Sequence, residues 1–199
     1  MSQPLIYLAS ASPRRSQLLE QIDIAHAVRP VDLDESPLAG EAPAQYVVRL
    51  AGMKARALWD GLPASQRLPV LAADTTVSLD AEILGKPAGL AEARAMLGRL
   101  SGRTHEVHTA VAVLHEGGEA VRISTSLVTF RELSAAEIDW YWRTGEPADK
   151  AGAYAVQGHA AIFIRHIAGS YSGVMGLPLF ETWELLAPVL GLNARMSPS

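Results

Sequence analysis

Apolar and polar positions along the chain alternate between short strand-like runs and longer helical periods. Leu5–Leu8 is a compact apolar run, followed by polar Ser10-Ala11-Ser12 and then Pro13, a residue whose fixed φ suits the first helical position. Leu18, Leu19 and Ile22 recur at helical spacing beyond it, so strand, loop and helix are predicted in that order. A second helix is predicted from Pro43 to about Trp59, with Tyr46, Val47, Leu50, Met53, Ala57 and Leu58 on its apolar face. Val70–Leu79 reads as a strand interrupted by polar Asp74-Thr75-Thr76, and Asp80-Ala81 turns it into Glu82–Leu84.

A helix over Ala91–Leu100 is stopped by Ser101-Gly102. Two alternating segments, Glu106–Leu114 and Ala120–Phe130, join across Gly117-Gly118 as a hairpin. Ser134 and Glu137 form a capping box that opens a helix to about Arg143. Ala160–Ile167 is predicted as a strand and Pro178–Leu190 as the last helix. The linker-like pieces, Gly61–Pro69 and Asn193–Ser199, do not divide the chain, so residues 1–199 are expected to form one domain. Interspersed helices and strands with a hairpin predict an α/β fold whose sheet is mixed and partly antiparallel.

Composition narrows the function classes. Hydrophobic residues are 49% of 199, enough for a sizeable core without staples. Against 21 Asp and Glu there are 17 Lys and Arg, a net charge of −4, which argues against a sequence-independent nucleic-acid binder but leaves room for a small anion in a locally basic pocket. With no cysteine, disulfides, thiolate nucleophiles and iron–sulfur clusters are excluded. Leu5–Ala9 precedes Arg14 and Arg15, the wrong order for a secretory or twin-arginine leader, and no apolar run reaches the length of a membrane span. A soluble, cytoplasmic protein is expected.

Several positions carry candidate chemistry. Ser10, Ser12, Arg14 and Arg15 crowd a strand-to-helix junction, where unpaired N–H groups and the helix dipole favour an anion and guanidinium forks match phosphate oxygens; an ordinary serine N-cap with two solvated arginines fits the same pattern. Asp74, set between apolar strand halves, must be exposed, paired or metal-bound, or simply begin a turn. Lys86 is held between Gly85 and Pro87, and Lys54, taken alone, reads as a solvated helix residue. Asp32, Asp34 and Glu35 form an acidic cluster suited to a hard divalent cation or to a solvated loop. His105-Glu106-Val107-His108 falls one residue short of the helical zinc-protease spacing and lies on a predicted strand, where the two rings point to opposite faces. Ser170 and Ser172 lack the strand–elbow–helix setting of a hydrolase nucleophile. There is no Walker A or GxGxxG sequence, and Trp59, Trp140, Trp142 and Trp183 sit on predicted helices as packing or interface residues.

Six blocks in order resemble the Maf family of nucleoside triphosphate pyrophosphatases over nearly the whole chain. They are Leu8-Ala9-Ser10-Ala11-Ser12-Pro13-Arg14-Arg15, Ala73-Asp74-Thr75-Thr76-Val77, Ile83-Leu84-Gly85-Lys86-Pro87, Leu100-Ser101-Gly102-Arg103-Thr104-His105, Lys150-Ala151-Gly152-Ala153-Tyr154-Ala155-Val156-Gln157-Gly158 and Val174-Met175-Gly176-Leu177-Pro178-Leu179. The resemblance implies two α/β lobes of a Maf/ITPase-like fold around a central cleft, a homodimer, and metal-dependent hydrolysis between the α and β phosphates. It implies Asp74 as proton acceptor, Arg14, Thr75 and Gln157 as substrate-specificity positions, and Ser10, Arg15, Lys54 and Lys86 as phosphate-binding groups. It also implies Glu35 and Asp74 on a divalent cation, Mg²⁺ or Mn²⁺.

Pro13 directly before Arg14, together with Ala153-Tyr154 and Gln157-Gly158, resembles the dTTP/UTP branch of that family, whose role is nucleotide-pool sanitation with an associated arrest of cell division. A glutamine amide both donates and accepts, matching O4 and N3–H of uracil or thymine, whereas the glutamate of the 7-methyl-GTP branch only accepts. The alternatives are hydrolysis of 7-methyl-GTP or a modified nucleotide, and a non-catalytic nucleotide-binding regulator of septum formation. Ala81, where members often have glycine, and His159, where an apolar residue is expected, depart from the family pattern.

Overall fold

The computed structural model describes residues 3–192; the tail segment Asn193–Ser199 lies outside them. The first strand, β1 (Ile6–Leu8), runs into helix α1 (Pro13–Gln21), which returns to β2 (His26–Val28). Helix α2 (Pro43–Gly61) follows, then β3 (Val70–Leu79), β4 (Glu82–Leu84), α3 (Leu90–Leu100), β5 (Thr104–His115), β6 (Gly118–Phe130) and α4 (Ala135–Arg143). Three short 3₁₀ turns lead to β7 (Ile164–Ala168), α5 (Tyr171–Met175) and α6 (Leu179–Leu190). One sheet has the order β2-β1-β3-β5-β6-β7, with β4 against β3. The β1–β2 and β1–β3 pairs are parallel and the others antiparallel, a mixed α/β sheet as the sequence predicts.

Side-chain alternation on β3 and β5 sorts the core. Even-numbered Val70, Ala72, Ala110 and Ala112 pack under α2 with Val47, Ala51 and Ala55. Odd-numbered Leu71, Ala73, Val111 and Val113 pack with Leu18, Leu19, Leu185 and Leu186 of α1 and α6. Further along that same face, Val77, Leu79 and Val107 join Leu97 and Leu100 of α3 and Tyr141 of α4. Each fully buried Val or Leu among them contributes roughly 1.5–3 kcal/mol.

Four local expectations need correction. The strand β3 runs unbroken through Asp74-Thr75-Thr76, because nine consecutive residues pair with β5. The segment predicted as a strand over Ala160–Ile167 begins as a 3₁₀ turn, His159–Phe163, and only Ile164–Ala168 pairs with β6. The hairpin turn is Glu116-Gly117, since His115 and Gly118 are already register partners. Ser170 does stand between a strand and a helix, but its Oγ caps α5 by accepting Gly173 N–H at 3.0 Å, and Ser172 Oγ accepts Leu179 N–H at 3.0 Å. His105 and His108 go to different neighbours, Tyr154 and Ser78. Among the described residues no helix is long and apolar enough to cross a membrane.

Candidate active site

The sheet leaves one edge of β3 bare. On that edge β1 covers only Val70 and Leu71, and β4 covers Val77 to Leu79. Between them Asp74, Thr75 and Thr76 face a gap, flanked by the chain leaving β1 (Ser10 onward) and the chain leaving β4 (Gly85, Lys86). A cleft of about 570 Å³ opens there, and Ser10, Arg14, Arg15, Glu35, Lys54, Asp74, Thr75, Lys86 and Gln157 all line it. Asp32 and Asp34 do not line it; Asp34 closes its own loop by accepting Ser36 N–H at 2.9 Å. Five basic side chains (Arg14, Arg15, Lys54, Lys86, Lys150) meet three acidic ones (Glu35, Asp74, Asp149) in the cleft, so it is locally positive in a chain of net charge −4.

Strand period sends Asp74 and Thr75 to opposite faces of the sheet. Asp74, on the α2 face, is 6% exposed and accepts a hydrogen bond from Lys54 Nζ at 2.7 Å. Lys54 is itself buried, and its ammonium also contacts Glu35 Oε1 at 2.5 Å. It is therefore not a solvated helix residue: Val47, Leu50, Ala51, Lys54 and Ala55 form the buried stripe of α2. Tyr46 Oη donates to Glu35 O at 2.9 Å and Arg49 donates to Ser36 O at 3.1 Å, so α2 also ties down the loop that brings Glu35 in.

One lysine thus holds two carboxylates, and their surroundings push them apart. Burial raises the Asp74 pKa above the usual aspartate range, and the charge and hydrogen bond of Lys54, with Arg15, offset it only in part. Burial also works against Glu35, but the hydrogen bond and charge of Lys54, with Lys86 and Arg15, outweigh it and hold Glu35 below the usual range. Of the two, Asp74 therefore has the higher affinity for a proton, the kind of division by which neighbouring carboxylates can take separate roles. Burial, with the charges of Asp74 and Glu35, pushes the Tyr46 phenol up to about 12, so it stays a donor.

On the opposite face Arg15 is the hub. Its guanidinium donates to Gly176 O at 2.8 Å, Ser10 Oγ at 3.0 Å and Thr75 Oγ1 at 3.3 Å. Burial lowers its pKa, against the pull of Asp74, yet a guanidinium stays charged across the working range. Gly176, at φ +119°, sits in the left-handed region beside it, where a side chain would be strained. Ser10 Oγ accepts from both Arg15 and Ser12 N–H (3.2 Å), which leaves its own proton free for a ligand. Ser12 is the N-cap of α1 without a side-chain cap, so the first-turn N–H groups stay available to an anion. The side chains of Arg14, Lys86 and Gln157 line the cleft without a protein hydrogen bond among the described residues.

Gln157 is carried by a loop that a single carboxylate organises. Glu146 accepts from Tyr141 Oη at 2.6 Å, from His159 N–H at 2.9 Å and from His159 Nδ1 at 3.0 Å. Tyr141 Oη accepts Ala155 N–H at 3.1 Å, and His159 sets its ring edge-on to Trp140 at 5.7 Å. His159, off-pattern in sequence, is therefore a loop anchor. The sequence reading missed Glu146 and the Gly176 carbonyl, neither of which stands out chemically until the chain is folded.

A bare sheet edge lined by a lysine-held carboxylate pair, guanidinium and ammonium groups and an open helix N-terminus defines an α/β protein with an anion-binding cleft. Residues 5–189 match the family described as Maf-like protein, and the chain belongs to that family. It is 54% identical to a Nitrosomonas europaea protein named dTTP/UTP pyrophosphatase, over 91% of this chain and 92% of the relative. A Methylobacillus flagellatus protein of the same name is 55% identical, over 91% of this chain and 90% of the relative. A solved nucleoside-triphosphatase / dITP/XTP pyrophosphatase from Mycobacterium abscessus covers 98% of this chain and 99% of its own at 16% identity and a TM-score of 0.44, too loose a likeness to add to the assignment.

Proposed function

We propose that this chain hydrolyses dTTP and UTP between the α and β phosphates, giving the nucleoside monophosphate and pyrophosphate. The observation that carries the reading is Asp74: a buried carboxylate with a raised pKa, beside a cationic cleft, in a chain whose relatives bear the name dTTP/UTP pyrophosphatase. Asp74 takes a proton from the attacking water, the new P–O bond forms at the α-phosphorus, and the bond to the bridging oxygen breaks. Arg15, Lys86 and the third N–H of Lys54 offset the charge gathering on the leaving pyrophosphate, and Ser10 donates to a phosphate oxygen. Arg14, Thr75 and Gln157 select the nucleoside, Gln157 by pairing its amide with the imide edge of uracil or thymine.

The donor set fits a hard divalent cation. Lys54 engages one oxygen of each carboxylate, leaving Oδ2 of Asp74 and Oε2 of Glu35 without a protein partner among the described residues. Two carboxylate oxygens plus substrate phosphates and water are what Mg²⁺ or Mn²⁺ takes, and the ion supplies charge neutralisation on the triphosphate. We further read the protein as cytoplasmic, acting on free nucleotides and not on a nucleic-acid polymer. We read it also as a homodimer, as its family resemblance implies. The test is pyrophosphate release from dTTP, UTP, CTP, 7-methyl-GTP, GTP and ATP with Mg²⁺ or Mn²⁺. Turnover led by dTTP and UTP and lost in Asp74→Asn is expected; full activity in Asp74→Asn, or turnover led by another base, would refute the mechanism or the base assignment respectively.

A further inference from the structure

The chain between β2 and α2 carries Glu35 to the cleft without helix or strand. Arg29 N–H bonds Leu8 O and Glu41 N–H bonds Leu38 O, but from Pro30 to Pro37 no backbone group pairs with another among the described residues. One edge of α2 supplies the missing bonds. Tyr46 Oη donates to Glu35 O at 2.9 Å and Arg49 Nη2 to Ser36 O at 3.1 Å, two successive carbonyls. Arg49 is fixed in turn: its Nε and Nη2 grip both oxygens of Glu41, each at 2.6 Å, and its guanidinium lies 5.6 Å from the centre of the Tyr46 ring. Glu41 Oε2 also accepts Leu38 N–H at 3.1 Å. One guanidinium thus closes a ring through Ser36, Leu38 and Glu41. Its hydrogen bonds hold the Glu41 carboxyl down at about 2, so the pair stays ionised at neutral pH. A lysine has no planar fork with which to close the same ring.

We infer that Arg49 is a positioning residue for Glu35: paired with Glu41, it latches the segment Glu35–Glu41 onto α2 and so sets where the Glu35 carboxylate stands beside Lys54. This deepens the proposed reading and rests on its assignment of Glu35 to the divalent cation. A carboxylate that must be ordered before it can bind a cation loses affinity to the ordering, and a partner that fixes it beforehand restores that affinity. Arg49 does not line the cleft, so it acts through the backbone of the segment. The sign of its effect separates positioning from simple charge. By charge alone, removing a cation near the site tightens Mn²⁺ and removing an anion weakens it. Loss of the latch weakens Mn²⁺ binding in both cases.

The test measures Mn²⁺ binding directly, from the electron paramagnetic resonance of the free ion, in the full-length protein with a non-hydrolysable α,β-methylene analogue of dUTP. Arg49→Met and Glu41→Ala are each expected to raise the Mn²⁺ dissociation constant about tenfold, the low end of the cost of losing a partner that orients a ligand. The double variant is expected to match either single one, since the latch is lost once. Arg56→Met breaks a partly exposed pair with Glu119 farther along the same helix and should leave the constant within about twofold of wild type. Amide exchange at Ser36 and Leu38 should quicken in Arg49→Met, as the segment comes loose from α2. A Mn²⁺ constant within about twofold of wild type in folded Arg49→Met, or tighter binding there, would overturn the role given to Arg49. Should Arg49→Met fail to fold, Arg49→Lys, which keeps the charge and loses the fork, is expected to show the same weakening, and wild-type affinity in it would overturn the inference equally. Glu35→Gln binding Mn²⁺ as wild type does would remove Glu35 from the cation, and this inference with it. Wild-type protein that binds Mn²⁺ yet cleaves neither dTTP nor UTP would overturn the proposed reaction and leave the latch standing.

Discussion

Gly158 and Glu146 give a sharp test of how the Gln157 loop is held. Gly158 has φ −107° and ψ −151°, a conformation alanine adopts freely, so the objection to a side chain there is steric: a Cβ would overlap the Glu146 carboxylate. Gly158→Ala must therefore expel Glu146 from its bonds to Tyr141 Oη and His159. Bonds to a charged acceptor are worth about 1.5–3 kcal/mol each. The exposed His159 regains water, whereas Tyr141 is fully buried, so a loss of about 2–3 kcal/mol is expected. Glu146→Ala removes the same bonds and should cost a similar amount. In the double variant the overlap has no partner and the bonds are lost once, so the sum of the single effects should exceed the double by about 2 kcal/mol. Urea denaturation of the four proteins measures this directly, and kcat/KM for dTTP against CTP reports whether Gln157 has lost its placement. Additive stabilities within about 0.5 kcal/mol would refute the clamp.

Three further variants test the geometry. Lys54→Met should push the Asp74 pKa further up, moving the acidic limb of the kcat/KM profile to higher pH by about 1–3 units; a limb that stays put or moves down would refute the pairing. Because the folded-state pKa of Asp74 already lies above its unfolded value, ionising it opposes folding, so the same variant should lose stability relative to wild type as pH rises through that raised pKa. Ala81 holds φ +64° in the turn between β3 and β4, so Ala81→Gly should stabilise by about 0.5–1 kcal/mol, a melting temperature about 1–4 °C higher, and an unchanged or lower value would count against strain there. Glu35→Gln should raise the Mg²⁺ concentration giving half-maximal turnover about tenfold or more, and an unaltered metal titration would remove Glu35 from the cation.

Local pattern made most of the elements legible, because each helix and strand announces one apolar face. It failed where a distant partner decides. The run Ala160–Ile167 has strand composition, but Glu146 accepts the N–H groups of His159 and Ala160 and bends its first half into a turn. Asp74-Thr75-Thr76 reads as a break because the gap beside β3, created by where β1 and β4 stop, is a property of the sheet and not of the strand. Lys54 was recoverable: it falls seven residues after Val47 on the stripe that faces the sheet, a position where an amphipathic helix carries a charge only if something buried answers it. The Gly176 carbonyl was not, since only the fold brings it to Arg15, 161 residues away in sequence.

The opposite orientations of Asp74 and Thr75 have an evolutionary consequence. Because neighbouring residues on β3 project to separate faces, Asp74 is braced by Lys54 of α2 and the Thr75 hydroxyl by Arg15, which reaches Asp74 through its charge and not through a hydrogen bond. On the proposed reading, substitutions around Thr75 can retune which nucleotide enters while the lysine-held carboxylates keep their hydrogen bonds. A lineage with this architecture can diversify its substrates through one side of a sheet while the other conserves the chemistry.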